Sequence, residues 1–220
     1  MLEVVILTVI PELTQDEFDI LLPLVSPEKQ ERIKRFNFFR DARNCLLGDV
    51  LSRVEICRTT GLSNKQLEFS NNTYGKPFLI NNTRIHFNIS HAGHYIACVV
   101  SDEPVGIDIE LIKPMDIVIA ERLFTPDETA YIIDNECEQR FYEVWTKKES
   151  HIKWEGKGLH IPLTSFNVFD SNGQEQLIYH KVFQNDEAIC HVCSTDTGTP
   201  SLKQINTIKF MYHIKFINDQ

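Results

Sequence analysis

The clearest alternation of hydrophobic and polar positions lies near the middle of the chain. Three strands are predicted there in succession, over residues 84–90, 95–101 and 105–111. In the first strand His86, Asn88 and Ser90 share the polar face, and residues 91–94 predict a turn. We expect an up-down-up meander, which would bring the end of the third strand beside this turn.

Helix signals occur in the same order on the two sides of this region. A hydroxyl residue precedes a proline at Ser26–Pro27 and again at Thr125–Pro126, which is typical of a helix start. After each start, the pattern predicts a short helix, a longer helix, a glycine stop and a phenylalanine in a strand. The longer helices are predicted over residues 41–60 and 138–155, the stops at Gly61 and Gly158, and the strand phenylalanines at Phe69 and Phe166.

We interpret this repeated order as a weak internal duplication. It predicts an α+β fold of two similar halves, residues 1–104 and 105–220. Ligand clefts often lie between such units, so the functional site is expected at the interface of the halves.

Composition and charge narrow the class of protein. The chain is 42% hydrophobic and 24% charged, and no apolar run reaches membrane-spanning length. Residues 4–10 (VVILTVI) predict a buried strand and not a leader segment, so a cytoplasmic protein with reduced cysteines is expected. The net charge of −9 argues against nucleic acid as the main partner, and no membrane partner is expected.

The sign of the charge reverses between residues 28 and 43. Six basic residues lie there among three acidic ones: Lys29, Arg32, Lys34, Arg35, Arg40 and Arg43. Such a patch suits a small anionic ligand, although a solvated helix face of mixed charge explains the stretch equally well.

Three carboxylates form the candidate chemistry. Asp108 and Glu110 are two positions apart, so they share one face of the third strand while Ile107 and Ile109 face the core. Mg²⁺ commonly takes one or two such carboxylates together with phosphate oxygens, whereas a solvated polar face is the plainer alternative. Glu149 falls on the apolar stripe of its helix, where a carboxylate needs a partner or a metal. A pair with Lys153 is the alternative to a metal.

Five ordered motifs carry a family resemblance. They are S-P-E-K at 26–29, Y-G-K-P at 74–77, F-N-I-S-H at 87–91, V-G-I-D-I-E at 105–110 and W-T-K-K-E-S-H-I-K at 145–153. Together they resemble the 4′-phosphopantetheinyl transferases, most closely the surfactin-synthetase-activating type, over about residues 26–166. The resemblance implies two α+β halves related by a pseudo-twofold, with the active site between them. The pair Asn44–Cys45 departs from the family pattern.

The resemblance also implies roles for individual residues. Magnesium would be held by Asp108, Glu110 and Glu149. From the chemistry that pyrophosphate cleavage needs, the catalytic residues are expected to be Lys153, Asp108 and Glu149, with Glu149 as the base or as the residue that positions a metal-bound water as the base. Coenzyme A phosphates would be bound by Lys29, Arg32, Lys76, Ser90, His91 and Lys153.

The expected reaction follows from these roles. A monomer would use Mg²⁺ to transfer phosphopantetheine from coenzyme A to a serine of an apo peptidyl or acyl carrier protein, releasing adenosine 3′,5′-bisphosphate. Antibiotic-type peptide synthetases would be activated in this way, with residues 115–123 as a candidate surface for carrier docking. The alternatives are a metal-dependent phosphohydrolase or nucleotidyl transferase, and an inactive module that binds coenzyme A or the carrier.

Overall fold

The fold is built on two larger sheets, each with one long helix on its outer side, and β2 and β3 form a small third sheet. This computed structural model describes residues 1–134, 137–170 and 176–218, except the side chains of residues 159 and 215–218. The strands of this part are β1 (Leu2–Thr8), β2 (Phe69–Asn71), β3 (Pro77–Leu79), β4 (His86–Ala92), β5 (Tyr95–Ser101), β6 (Val105–Leu111), β7 (Ile178–Gln184), β8 (Ala188–Ser194) and β9 (Ser201–Asn206). The helices are α1 (Gln15–Leu21), α2 (Pro27–Lys34), α3 (Phe39–Thr60), α4 (Ile117–Leu123), α5 (Pro126–Asp134), α6 (Cys137–Glu155) and α7 (Thr207–Asn218).

The two halves share one order of elements. The first runs from β1 through the long helix α3 to the pair β4–β5, and the second runs from β6 through the long helix α6 to the pair β7–β8. The strand orders are β4-β5-β1-β9 and β6-β8-β7, so the last strand of each repeat lies in the middle of its sheet. The prediction of an α+β fold with two similar halves is therefore confirmed.

One hydrophobic core lies between the two sheets. Val4 and Ile6 of β1 face Ile107 and Ile109 of β6 in this core, and all four side chains are buried. Because side chains alternate along a strand, the other face of β6 carries Asp108 and Glu110 on the side of α6. The predicted orientation of the two isoleucines is confirmed.

The predicted meander is wrong at its third strand. β4 and β5 pair antiparallel as expected, but β6 pairs with β8 in the second sheet. β5 has no free edge for β6, because one edge pairs with β4 and the other pairs with β1, for example Cys98 with Val5. β6 nevertheless lies beside β4, because the Ile107 N–H donates to Asn88 Oδ1 at 2.9 Å.

The helix boundaries follow the sequence closely, with one exception. The Ser26 side chain caps α2 by accepting a hydrogen bond from the Lys29 N–H, and Gly61 ends α3 with a φ of 74°. The stop after α6 is Gly156, with a φ of 70°, and not the predicted Gly158.

The predicted strand at Phe166 is also wrong. Phe69 opens β2 as expected, but Phe166 follows a short 3₁₀ turn and lies outside the strands. Its carbonyl accepts a hydrogen bond from Lys148 Nζ at 2.6 Å, so this acceptor is used by a side chain and not by a neighbouring strand.

The last described segment returns to the first half. β9 pairs in parallel with β1, and Phe210 and Ile214 of α7 are buried in the core beneath α3. The division of the chain between residues 104 and 105 stays a prediction. None of the described helices is both long enough and apolar enough to cross a bilayer.

Gly106 sets the distance between β6 and α6. A Cβ atom at this position would lie 2.0 Å from the Ser150 carbonyl oxygen and 2.4 Å from the Trp154 nitrogen. Both are backbone atoms of α6, so they cannot move aside as a side chain would. Glycine therefore allows the backbones of strand and helix to touch.

We expect Gly106→Ala to separate α6 from β6 and to lower the free energy of unfolding by at least about 2 kcal/mol, as overpacking does. Urea denaturation measures this change. Gly198→Ala is the control, since its Cβ would meet mainly the Asp196 side chain, and it should stay within about 0.5 kcal/mol of the parent chain. Equal midpoints for the two variants would contradict the contact.

Candidate active site

Asp108 is the centre of a polar cluster where the two halves meet. Its Oδ1 atom accepts hydrogen bonds from Ser90 Oγ at 2.8 Å and from Lys153 Nζ at 2.6 Å. The Lys153 ammonium also donates to Ser90 Oγ at 2.9 Å. Ser90 comes from β4 of the first half, whereas the other two residues come from β6 and α6. The structure thus joins three of the predicted site residues by direct contacts.

Two further carboxylates share the electrostatic environment of this cluster. Burial, and then the negative charge of Asp108, raise the pKa of Glu110 to about 7. The same two causes raise the pKa of Glu149 on α6. The Lys153 ammonium opposes both shifts, but its ion pair is with Asp108 and not with Glu149, so the alternative pair is not formed. The three carboxylates therefore carry more negative charge than the Lys153 ammonium neutralises.

The donor set fits a magnesium ion that is shared with a phosphate ligand. Within the described residues, no three Asp, Glu, His or Cys side chains are arranged to hold a metal by themselves. Asp108 Oδ2 is nevertheless buried without a hydrogen-bond partner, which is costly for a carboxylate oxygen. Mg²⁺ usually binds one or two carboxylates and completes its shell with water and phosphate oxygens. The unpaired oxygen of Asp108 therefore suits a cation, and Glu110 and Glu149 share its electrostatic environment.

His91 is the residue after Ser90 on β4. The sequence predicted a turn at this residue, but it lies in the strand and pairs with Ile96, so only Gly93 and His94 form the turn. Partial desolvation and the Lys153 ammonium lower the pKa of His91. A neutral imidazole can donate one hydrogen bond and accept another near the cluster.

The stretch that departs from the family pattern supports this turn. Asn44 Nδ2 donates to the Gly93 carbonyl at 3.1 Å, and the buried Arg43 side chain binds Asn44 Oδ1 and forms an ion pair with Glu12. Gly93 itself has a φ of 58°, which favours glycine. These two residues therefore hold the β4–β5 hairpin on α3.

The basic residues of α2 lie apart from the acid cluster. Lys29 Nζ is 3.3 Å from Asp49 Oδ2 on α3, and Arg32 is exposed one turn further along α2. Among the described contacts, none joins either residue to Asp108. Their predicted contact with a ligand therefore needs one that extends from the cluster to α2.

Lys76 is placed differently from the other predicted phosphate-binding residues. Its ammonium donates to the carbonyls of Lys153 at 2.6 Å, Val105 at 3.0 Å and Trp154 at 3.2 Å. Burial lowers the pKa of Lys76 to about 8. These contacts direct the side chain toward the end of α6 and not toward a phosphate.

Lys148 was not predicted to have a structural role, yet it is the buried lysine of the motif at residues 145–153. Its side chain is fully buried and binds Glu128 at 2.9 Å and the carbonyls of Leu163 and Phe166. Glu128 is equally buried and accepts from the Val168 N–H at 2.8 Å. The pattern that singled out Glu149, a charged residue on the apolar stripe of α6, also applies to Lys148, which is seven positions after Phe141.

His191 is a second buried residue that the sequence did not indicate. It lies opposite Asp108 in the β6–β8 ladder, and its Nδ1 is 2.8 Å from Thr146 Oγ1 on α6. Thr146 donates its own proton to the Tyr142 carbonyl, so His191 is the donor of this bond. Burial lowers the pKa of His191 well below its usual value, and the neutral ring ties α6 to β8.

Comparison with known proteins gives a consistent result over residues 12–205. Two family models match, one described as 4′-phosphopantetheinyl transferase, N-terminal, over residues 12–103, and one as the 4′-phosphopantetheinyl transferase superfamily, over residues 104–205. The chain is 42% identical over 159 residues to the 4′-phosphopantetheinyl transferase Sfp of Bacillus subtilis (strain 168), covering 71% of each chain. It is 40% identical over 182 residues to the 4′-phosphopantetheinyl transferase gsp of Aneurinibacillus migulanus, covering 81% of this chain and 76% of that protein.

These matches define the class of protein as a transferase. The chain belongs to the 4′-phosphopantetheinyl transferase superfamily, as its motifs indicated. The two family models match most of each half of the fold.

We expect Lys148→Met to lower the free energy of unfolding by about 3–5 kcal/mol, because it leaves the Glu128 carboxylate buried without a counter-charge. The double variant Lys148→Met/Glu128→Gln should recover part of this loss in the same urea experiment. Lys157→Met removes only an exposed pair with Glu155 and should change stability little. A single variant as stable as this control would show that the buried pair is dispensable.

Proposed function

We propose that the Asp108 cluster is the active centre for phosphopantetheine transfer from coenzyme A to a serine of an apo carrier protein. The serine oxygen would form a bond to the phosphorus that bears the pantetheine arm, and the bond from that phosphorus to the leaving phosphate would break. The products would be the holo carrier and adenosine 3′,5′-bisphosphate. The junction of Ser90, Asp108 and Lys153, which come from both halves of one chain, is the observation that carries this proposal.

The carboxylates suit the metal that this reaction needs. Asp108, Glu110 and Glu149 would hold Mg²⁺ on the pyrophosphate of coenzyme A. A bound magnesium ion would neutralise phosphate oxygens and make the phosphorus more open to attack. The unpaired Oδ2 of Asp108 and the raised pKa values of the two glutamates support this assignment, since a cation would relieve all three.

Lys153 and Glu149 would divide the work on the reacting groups. The Lys153 ammonium would stabilise the negative charge that develops on the phosphoryl oxygens. Glu149 would accept the proton of the carrier serine, and its raised pKa brings it nearer to the range in which a general base works best. Asp108 would keep Lys153 in place through the existing 2.6 Å contact.

The remaining polar residues would bind the coenzyme phosphates. Ser90 and His91 would contact the pyrophosphate, because Ser90 binds Asp108 and Lys153 and His91 is the next residue of β4. Lys29 and Arg32 on α2 would bind the phosphates of the nucleotide end, where charge matters more than close geometry. In this arrangement the reacting phosphorus would lie at the acid cluster, and the leaving nucleotide would extend toward α2.

Family membership does not favour the alternative of a phosphohydrolase or nucleotidyl transferase, and the intact acids do not favour an inactive binding module. The carriers would include those of antibiotic-type peptide synthetases. A monomer would suffice, because a single chain supplies the whole cluster. The six free cysteines fit a reducing compartment such as the cytoplasm.

Carrier docking would involve α4 and the residue stretch before it. Met115, Ile117 and Leu123 pack against the core, so their share of the predicted docking surface is reduced. Val118 and Ile119 are about two-fifths exposed, at 40% and 42%, and remain as the candidate contacts. An exposed apolar pair on the helix that follows β6 along the chain suits a protein partner.

We expect Asp108→Asn to lower turnover by about 100-fold or more, because it removes a metal ligand and the partner of Lys153 together. The rate of adenosine 3′,5′-bisphosphate release with an apo carrier and saturating Mg²⁺ measures this. Asp16→Asn, on the exposed side of α1, is the matched control and should retain the parent rate. Near-normal turnover of Asp108→Asn would rule out Asp108 as the centre.

We expect Lys29→Ala to raise the KM for coenzyme A more than it lowers kcat, because the lysine would contact the leaving nucleotide and not the reacting phosphorus. The parent chain should prefer coenzyme A over dephospho-coenzyme A, which lacks the 3′-phosphate. The variant should lose part of this preference. If both proteins discriminate equally between the two coenzymes, Lys29 does not bind the 3′-phosphate.

A further inference from the structure

The ammonium of Lys76 has no free hydrogen-bond donor in this structure. A lysine ammonium carries three N–H donors, and the three carbonyls of Lys153, Val105 and Trp154 lie within 2.6–3.2 Å of Lys76 Nζ. A phosphate contact would require Lys76 to give up at least one of these bonds. The carbonyl contacts therefore compete with a coenzyme-binding role.

The three carbonyls lie at one structural junction. Lys153 and Trp154 are in the last turn of α6, where the free carbonyls carry partial negative charge and a cation is favourable. Val105 is the first residue of β6, next to Gly106. Lys76 therefore joins the end of α6 to the start of β6 at the point where their backbones touch.

Asn72 strengthens the same junction from the turn between β2 and β3. Its Nδ2 donates to the Gly156 carbonyl at 2.8 Å, and its Oδ1 accepts from the Lys76 N–H at 2.9 Å. A Cβ atom at Gly156 would lie 2.8 Å from Lys76 Cδ, so glycine is needed for this close approach. We call Asn72 and Lys76 the helix clamp.

The clamp acts on the residue that supplies the cation of the site. Lys153 is held at its carbonyl by Lys76 and at its ammonium by Asp108 and Ser90. Loss of the Lys76 contact would free the end of α6, although Lys153, Asp108 and Ser90 would all still be present. A misplacement of about 1 Å at a reacting group can lower a rate by about 100-fold.

We propose that Lys76 is a positioning residue, which fixes the end of α6 so that Lys153 meets Asp108 and Ser90, and that it does not bind a coenzyme phosphate. This inference rests on the proposed transfer reaction for its effect on turnover. The clamp itself is independent of that reaction and can be measured without it.

The decisive variant is Lys76→Met, which keeps the length of the side chain and removes its donors. We expect kcat to fall by about 100-fold, while the KM for coenzyme A and the Kd for adenosine 3′,5′-bisphosphate, measured by calorimetry, stay unchanged. Lys29→Ala is the comparison, because a phosphate-binding lysine should weaken bisphosphate binding. Unchanged kcat, or a loss of bisphosphate affinity as large as that of Lys29→Ala, would overturn the inference.

Two further variants cover the case in which Lys76→Met does not fold. Lys76→Arg restores donors to the carbonyls and should recover part of kcat. Asn72→Asp keeps the oxygen that accepts from Lys76 but removes the donor to Gly156, so it should lower kcat with unchanged bisphosphate affinity. Parent-like kcat in Asn72→Asp would contradict the clamp.

Amide hydrogen exchange separates failure of the clamp from failure of the proposed function. The Gly156 N–H donates to the Ile152 carbonyl at 2.9 Å in the last turn of α6. Faster exchange of residues 153–156 in Asn72→Asp than in the parent chain is expected. This result would support the clamp even if the parent chain transferred nothing, and unchanged exchange would contradict it even if the chain were an active transferase.

Discussion

The direct contact between the backbones of β6 and α6 at Gly106 is the constraint on which the site depends. Since no side chain separates them there, the residues that follow on β6 lie within reach of those on the last two turns of α6. Asp108, two positions after Gly106, thus meets Lys153 at 2.6 Å. Asn88 of β4 accepts a hydrogen bond from Ile107 of β6 and so holds the two strands together. Ser90 of β4 therefore lies beside Asp108. One close approach therefore gathers groups from three elements.

Two lysines of α6 form ion pairs with carboxylates of other elements, and the pairs differ: Lys148–Glu128 is fully buried, whereas Lys153 is partly exposed. In the Lys148–Glu128 pair, the lysine binds two carbonyls and the glutamate accepts from the backbone, so the pair is fully satisfied and ties the segment around residues 163–168 to α5 and α6. In the Lys153–Asp108 pair, one carboxylate oxygen has no partner, and two further glutamates raise the negative charge. Incomplete compensation of this kind is typical of a site that receives a ligand.

The sequence predicted the parts of the site that depend on local pattern. Alternation placed Asn88 and Ser90 on one strand face and Asp108 and Glu110 on another, and the helix caps and the order of motifs identified the halves and the family. It could not predict which sheet β6 would join, because β1, β5, β6 and β8 are all apolar enough to pair and the choice is made by long-range competition. The strand at Phe166 failed for a related reason, since a lysine 18 residues earlier captures its carbonyl. The contacts of Lys76 could not be predicted from the sequence, because its partners are backbone carbonyls 29 to 78 residues away, which leave no trace in a side-chain pattern.

The central claim is that this junction transfers phosphopantetheine to a carrier serine. The most direct measurement is the intact mass of an apo carrier protein after incubation with the chain, coenzyme A and Mg²⁺. The account predicts a mass gain of one phosphopantetheine group, no gain on a carrier whose acceptor serine is replaced by alanine, and no gain when a chelator removes Mg²⁺. An unchanged carrier mass, with coenzyme A either intact or hydrolysed by water, would contradict it.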